Sequence, residues 1–154
     1  MVKITPYTDE HKDQTAKFVI SILEDEFGYT GIDRPDLYDI SNFYQKDPNS
    51  NFWLALLSNE IIGTVAIQNC GRKRRFIKRM YVKKDLRSKG VGQALMNTLV
   101  VFAKNTDYKT IFISTVEEFE SARKFYKKNG FVEIRELPKD IKAPGDNVFL
   151  ELSI

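Results

Sequence analysis

The chain has 154 residues, of which 42% are hydrophobic and 29% are charged, and it carries a formal net charge of +3. This length and composition predict one soluble globular domain with a substantial core, and they exclude a disordered or fibrous protein. The charge is too small to indicate a nucleic-acid-binding protein, and no apolar run is long enough to span a membrane. A single cysteine excludes an intramolecular disulfide, and the N-terminus lacks the apolar segment of a secretion signal, so we expect a cytoplasmic protein.

The first half of the chain predicts one strand, two helices and then three strands. Alternation over Val2–Tyr7 indicates a short strand, and apolar residues at helical spacing mark a helix that ends near Gly28. Pro35 opens a second helix, which ends before residue 50. Three strands with short turns between them follow as an antiparallel meander, at Phe52–Leu57, Ile61–Ile67 and Arg74–Val82.

The second half alternates helices and strands. A helix is expected from Val91, and the later elements are a strand over Thr110–Thr115, a helix over Glu118–Asn129 and strands over Phe131–Arg135 and Asn147–Ile154. The order is β-α-α-β-β-β-α-β-α-β-β, which predicts an α+β fold with a mixed, mostly antiparallel sheet flanked by helices. The strand-helix-strand step through Thr115 should be a parallel crossover.

The central feature of the sequence is a strand, a basic glycine-containing loop and a helix over Phe76–Leu99. The loop covers residues 87–92 and reads RSKGVG. The first N–H groups of a helix lack internal partners and carry partial positive charge, while glycines let a ligand approach the backbone closely. The stretch therefore predicts an anion site suited to a pyrophosphate, with a plain flexible connection as the alternative.

Two motifs in this order resemble those of the GNAT superfamily of acyl-CoA-dependent N-acetyltransferases. RMYVKKDLRSKGVGQAL is similar to the pyrophosphate-binding strand, loop and helix of that family, and SARKFYKKNGFVEI is similar to its later helix and strand. The resemblance covers nearly the whole chain. It implies a GNAT-like fold, a single N-acetyltransferase domain over residues 1–154 and acetyl-CoA as the acyl donor, with no metal.

The resemblance also implies which residues contact coenzyme A. The main chain of Met80–Val82 would pair with the pantetheine arm, where the family's two central strands splay apart. Ser121 stands where the family usually carries an asparagine, and Tyr126 matches the tyrosine near the CoA sulfur. The implied coenzyme-binding residues are Met80, Tyr81, Val82, Arg87, Ser88, Lys89, Gly90, Val91, Gly92, Gln93, Ser121 and Tyr126.

The expected reaction is direct attack of a neutral primary amine on the thioester in a ternary complex. The backbone N–H of Met80 or its neighbour would stabilise the tetrahedral oxyanion. Tyr126 would protonate or hydrogen-bond the departing thiolate, with an ordinary tyrosine at the edge of the core as the alternative. Some family members carry a glutamate on the strand before the loop, whereas this chain has Lys78 and Arg79 there. Glu117 is the candidate base, with an ordinary role at a helix N-terminus as the alternative.

Further hypotheses concern residues outside the two motifs. Glu118 and Asp33 are other candidate bases, and catalysis by positioning with proton loss through water is the alternative to all of them. Cys70 could carry the acetyl group in a ping-pong route, although no histidine lies near it in sequence. Asp33 and Asp36 could bind a cationic acceptor, or they could be ordinary acids of a loop and a helix start.

The expected acceptor is a small-molecule amine or an exposed peptide amine, and its identity is not encoded in a motif. The loops Gly28–Asp36 and Leu137–Asn147 should flank it. No nucleic-acid or membrane partner is expected, and a homodimer is left open. The alternative function is a non-catalytic acyl-CoA-binding module that acts as a sensor or a partner.

Overall fold

The computed structural model describes residues 1–153 and shows an α+β fold built on one mixed seven-stranded sheet. The strands are β1 Val2–Pro6, β2 Asn51–Leu57, β3 Glu60–Asn69, β4 Arg74–Val82, β5 Thr110–Thr115, β6 Val132–Ile134 and β7 Val148–Ser153. The α-helices are α1 Lys12–Ser21, α2 Val91–Lys104 and α3 Glu120–Lys128. The strand order is β1-β2-β3-β4-β5-β7-β6, and the predicted fold class is confirmed.

The pairing of the strands follows the expected topology. Neighbouring strands are antiparallel except β4 and β5, which are parallel and are connected through α2. The predicted parallel crossover is therefore confirmed, and β2, β3 and β4 form the predicted meander. Ser58 and Asn59, at the β2–β3 turn, have φ values of +49° and +65°, as tight hairpins require.

The sheet is covered on both faces. Alternate residues of the central strands, such as Trp53 and Ile111, pack with Leu95 and Leu99 of α2 into the largest core cluster. The opposite face of β2 and β3 packs under α1 and the segments that follow it, where Val19 is fully buried. This double coverage explains why β2 and β3 read as nearly continuous apolar runs.

The prediction of a continuous second helix from Pro35 is wrong. Its residues make a short 3₁₀ turn over Pro35–Tyr38 and a π-helical turn over Ser41–Gln45. Between them Asp39 has φ −152°, and its carboxylate accepts hydrogen bonds from the Asn42 side chain. Because the backbone of Asp39 is not helical, it interrupts the helical hydrogen bonding, and an aspartate that bonds locally favours such a break.

Other element boundaries differ by small amounts. The first helix continues beyond α1 as a π-helical turn over Ile22–Glu26, and α3 begins at Glu120 rather than Glu118. The last predicted strand includes Ile154, which lies outside the described residues. None of the helices in the described chain has the length and hydrophobicity needed to cross a bilayer.

Candidate active site

A β-bulge at Arg79 shapes the centre of the sheet. The register of β3 against β4 shifts between Thr64 and Ala66, and opposite this shift Arg79 has φ +54°. The hydroxyl of Thr64 donates a 2.7 Å hydrogen bond to the Arg79 carbonyl, which satisfies a group that the bulge removes from the ladder. Bulges bend the strand that carries them, so this one turns the end of β4 away from β5.

Strands β4 and β5 separate after a short stretch of pairing. Their register covers only Arg74–Phe76 against Thr110–Phe112. From Ile77 to Val82, β4 still pairs with β3, but it has no β5 partner and lines a cleft of about 1310 Å³. A strand edge exposed in a cleft can pair with an extended ligand through its main chain.

The N-terminus of α2 lies at the wall of the same cleft. Gly90 caps the helix with φ +89°, a conformation that favours glycine, and the first intrahelical bond runs from Ala94 N–H to Gly90 C=O at 3.0 Å. Within residues 1–153 the N–H groups of Val91, Gly92 and Gln93 have no hydrogen-bond acceptor. Free donors at the positive end of the helix dipole make an anion site.

Arg87 holds this loop against neighbouring elements. Its Nε donates to the Val82 carbonyl at 2.9 Å, and its guanidinium pairs with Glu26 at 2.8 Å. Gln93 in the first turn of α2 exchanges side-chain hydrogen bonds with Asn129, at the end of α3. The positive charge of Arg87 is therefore already paired, and the main-chain donors carry the anion site.

Tyr126 of α3 contributes to the cleft where the strands separate. It is 7% exposed, and its ring packs against Phe125 and Phe131. Burial raises the pKa of its hydroxyl, and the neighbouring Tyr81 and Asp146 add to the shift. The phenol is thus protonated at neutral pH and can donate a proton to a group in the cleft.

A buried ion pair also lines the cleft. Asp36 accepts two hydrogen bonds from Arg79, at 2.8 and 2.9 Å, and one from the Tyr44 hydroxyl at 2.6 Å. Burial alone would raise the pKa of Asp36, but the Arg79 guanidinium and the Tyr44 hydroxyl hold it below its ordinary value. The Asp36 charge is neutralised within the protein, which argues against its predicted role in binding a cationic acceptor.

Most of the predicted coenzyme-binding residues come together in the cleft. Ten of the twelve line it, in three groups from β4, from the loop with the start of α2, and from α3. The other two do not, because Val91 is buried in the core at 5% exposure and Lys89 points to solvent. Ser121 lines the cleft and is exposed.

The predicted catalytic residues divide into two sets. Met80 and Tyr126 line the cleft, whereas Glu117 is exposed and does not. The N–H of Glu117 donates to the Asn147 side chain at 3.1 Å, so its main chain links β5 to the last loop. Asp33 is likewise exposed and outside the cleft, while Glu118 lines it.

Cys70 is poorly placed for a ping-pong route. It does not line the cleft, and burial raises the pKa of its thiol, which disfavours the nucleophilic thiolate. Its sulfur instead lies 3.6 Å from the Gln68 carbonyl, to which it donates. Among residues 1–153, no three histidine, cysteine, aspartate or glutamate side chains lie close enough together to hold a metal ion.

One polar pair that lines the cleft is not predicted from the sequence. The Ser114 hydroxyl, near the end of β5, donates a hydrogen bond to the half-buried carboxylate of Asp146. Burial raises the pKa of Asp146, and the Ser114 hydrogen bond offsets part of that shift. The two residues are 32 positions apart, and Asp146 lies in a loop with no periodic pattern, so no local signal marks the pair.

The sequence and the fold match one known family. Residues 16–131 match the family described as Acetyltransferase (GNAT) family. The structure superposes on an acetyltransferase of the GNAT family from Staphylococcus aureus Mu50, with a TM-score of 0.91, 30% identity and 99% of each chain covered. The chain belongs to the GNAT acetyltransferase family.

Two further relatives are informative. An N-acetylaspartate synthetase from Danio rerio is 29% identical over 123 residues, which cover 76% of this chain and 44% of that protein. The chain thus spans less than half the length of this curated relative. The PaiA N-acetyltransferase from Thermoplasma acidophilum, solved in complex with coenzyme A, shares the fold with a TM-score of 0.74, 16% identity, and 100% and 99% coverage.

Proposed function

We propose that the chain transfers the acetyl group of acetyl-CoA directly to a primary amine in a ternary complex. One observation carries the proposal: the gap between β4 and β5 opens beside a helix N-terminus with free N–H groups. The gap and the anion site lie in the same cleft, which suits a long donor with a pyrophosphate at one end and a thioester at the other. Family membership and the coenzyme A complex of the Thermoplasma protein support this choice of donor.

The proposed donor contacts follow from the free main-chain groups. The pyrophosphate binds the N–H groups at the start of α2, and the pantetheine arm lies along β4 at Met80–Val82. The acetyl carbonyl then reaches the bulged segment next to Arg79, where a β4 N–H near Met80 stabilises the oxyanion.

We also propose that this reaction takes place in the cytoplasm. The single cysteine leaves no intramolecular disulfide, which suits a reducing compartment.

Tyr126 is proposed to protonate the departing CoA thiolate. We expect Tyr126→Phe to lower kcat by about tenfold while the Kd for CoA changes little, because a thiolate is a stable leaving group that water can also protonate. Steady-state kinetics and calorimetry on the folded variant measure these two effects. A kcat equal to that of the parent would remove Tyr126 from the reaction.

The acceptor is proposed to be an amine that also carries a carboxylate. Lys78 and Lys142 line the cleft, and in the part of the chain that the structure describes neither has a carboxylate within ion-pair distance. Arg79 and Asp36 neutralise each other, so Lys78 and Lys142 are the cations that could bind a carboxylate of the acceptor. The Danio rerio relative, by its name, forms an N-acetylated amino acid, which supports the same class.

A panel of amines tests both the reaction and the acceptor class. Thiol release from acetyl-CoA is followed with amino acids and with their carboxamides, which lack the negative charge. Rates are compared per neutral amine, because removal of the carboxylate also lowers the pKa of the amine. We expect kcat/KM to be about tenfold higher for the amino acids, and Lys78→Gln to remove most of the difference. Tight CoA binding without turnover of any amine would refute the enzyme and favour an acyl-CoA-binding module.

A further inference from the structure

Asp146 lines the cleft beside Ser114 of β5, and its position is held by hydrogen bonds. The backbone on either side of its carboxylate is anchored, since its N–H donates to Ala143 C=O at 3.2 Å and Asn147 N–H donates to Thr115 C=O at 3.1 Å. The Ser114 hydroxyl donates to the carboxylate itself. Ser114 lies two residues beyond the last β4–β5 pair, and both Ser114 and Asp146 line the cleft.

The charges around this carboxylate are few. Tyr81 from β4 and Tyr126 from α3 lie close enough to influence it, and both hydroxyls are protonated because burial raises their pKa values. From its own loop Lys142 lines the same cleft, and β5 contributes the uncharged Ser114. No Lys, Arg or His nitrogen among residues 1–153 lies within 4.0 Å of Asp146, so it has no ion-pair partner.

The other acids of the cleft are less suited to accept a proton. Asp36 is held in its charged form by Arg79 and Tyr44, which occupy its oxygens. Glu118 and Glu120 are exposed and lie at the start of α3. Asp146 is thus the half-buried acid of the cleft that no cation neutralises.

We propose that Asp146, positioned by Ser114, accepts the proton of the acceptor amine. The assignment rests on the proposed acetyl transfer. The acceptor enters as an ammonium, and the Asp146 carboxylate takes one proton to leave a neutral amine. The nitrogen then bonds to the acetyl carbon and the C–S bond breaks, with its electron pair going to sulfur. Tyr126 protonates that thiolate, the second nitrogen proton returns through solvent to Tyr126, and Asp146 releases its proton to solvent.

The test measures kcat against pH, together with the Kd for CoA. The variants are Asp146→Asn, which removes the charge and keeps the shape, Ser114→Ala, and the control Glu136→Gln, an exposed acid outside the cleft. We expect Asp146→Asn to lower kcat about a hundredfold and to move the acid limb of the profile to the pKa of the acceptor amine, with the Kd for CoA unchanged. Glu136→Gln should retain the profile of the parent.

Two readouts separate a proton acceptor from a structural residue. Ser114→Ala should shift the acid limb to higher pH, because the lost hydrogen bond stabilises the charged carboxylate. With an amine whose pKa lies below the assay pH, the loss in Asp146→Asn should shrink to a few-fold. An acid limb at the same pH as in the parent, or an equal loss with both amines, would overturn the assignment while leaving acetyl transfer intact. No turnover by the parent would overturn both.

Discussion

Replacing Gly92 by aspartate should weaken CoA binding by roughly a thousandfold, or about 4 kcal/mol. Gly92 lines the cleft at the start of α2, where the free N–H groups lie. A carboxylate there would occupy the place of the pyrophosphate and repel its negative charge. The fold should be preserved, because an acid in the first turn is favoured by the helix dipole.

Gly92→Ala provides the matched control for this variant. A Cβ at position 92 would lie 3.7 Å from Val82 Cγ2 and 3.9 Å from Phe125 Cζ, which are ordinary contacts. Gly90 is a less suitable site for the test, since its φ of +89° would strain any other residue. Calorimetric titration with CoA should show near-parental affinity for the alanine variant. Equal affinities for the two variants would mean that the pyrophosphate does not bind at this helix.

Replacing Arg79 by methionine should lower the free energy of unfolding by about 3–5 kcal/mol. Arg79 makes two hydrogen bonds to Asp36, and Asp36 is only 9% exposed, so the change leaves a buried carboxylate without its cation. Adding Asp36→Leu to the same chain should recover most of the loss, because the unpaired charge is then gone. Urea unfolding at neutral pH measures the free energy of unfolding of the parent, the Arg79→Met variant and the double variant.

Lys83→Met is the control for the loss of a surface charge. Lys83 follows β4 and pairs with Glu60 at 2.8 Å in an exposed position, so this change should leave the free energy of unfolding almost unchanged. The pH dependence of the free energy of unfolding gives an independent check on the Asp36–Arg79 pair. Since the pKa of Asp36 is lowered below 3.8, the pair's contribution is present above that value and disappears as the pH falls through the folded pKa. Similar losses in the Arg79 and Lys83 variants would show that the buried pair is unimportant.

The donor side of the site could be predicted because its signals are local in sequence. The glycines at positions 90 and 92 stand between a strand pattern and a helix pattern, and the structure places both at the cleft. The position of Tyr126 could be predicted in the same way, since it lies on the buried face of a helix whose apolar residues have helical spacing. Helical periodicity and glycine placement act over a few residues, so a single sequence reveals them.

The acceptor side could not be predicted because its contacts are distant in sequence. Arg79 reaches Asp36 across 43 positions, and Ser114 reaches Asp146 across 32. The bulge that positions Arg79 has no glycine to mark it, and Thr64 supports it from the neighbouring strand. The position of Glu117 just after β5 makes it a candidate base, yet its side chain is exposed to solvent. Tertiary pairing of this kind follows from the packed sheet and not from local pattern.

A crystal structure of the protein with CoA tests the central claim most directly. We predict the pyrophosphate against the N–H groups at the start of α2, the pantetheine arm hydrogen-bonded to β4 at Met80–Val82, and the sulfur within hydrogen-bond distance of the Tyr126 hydroxyl. The thiol should then point toward the side of the gap where Asp146 lies. A CoA molecule bound outside the gap between β4 and β5, or with its sulfur away from Tyr126, would contradict the proposed transfer site.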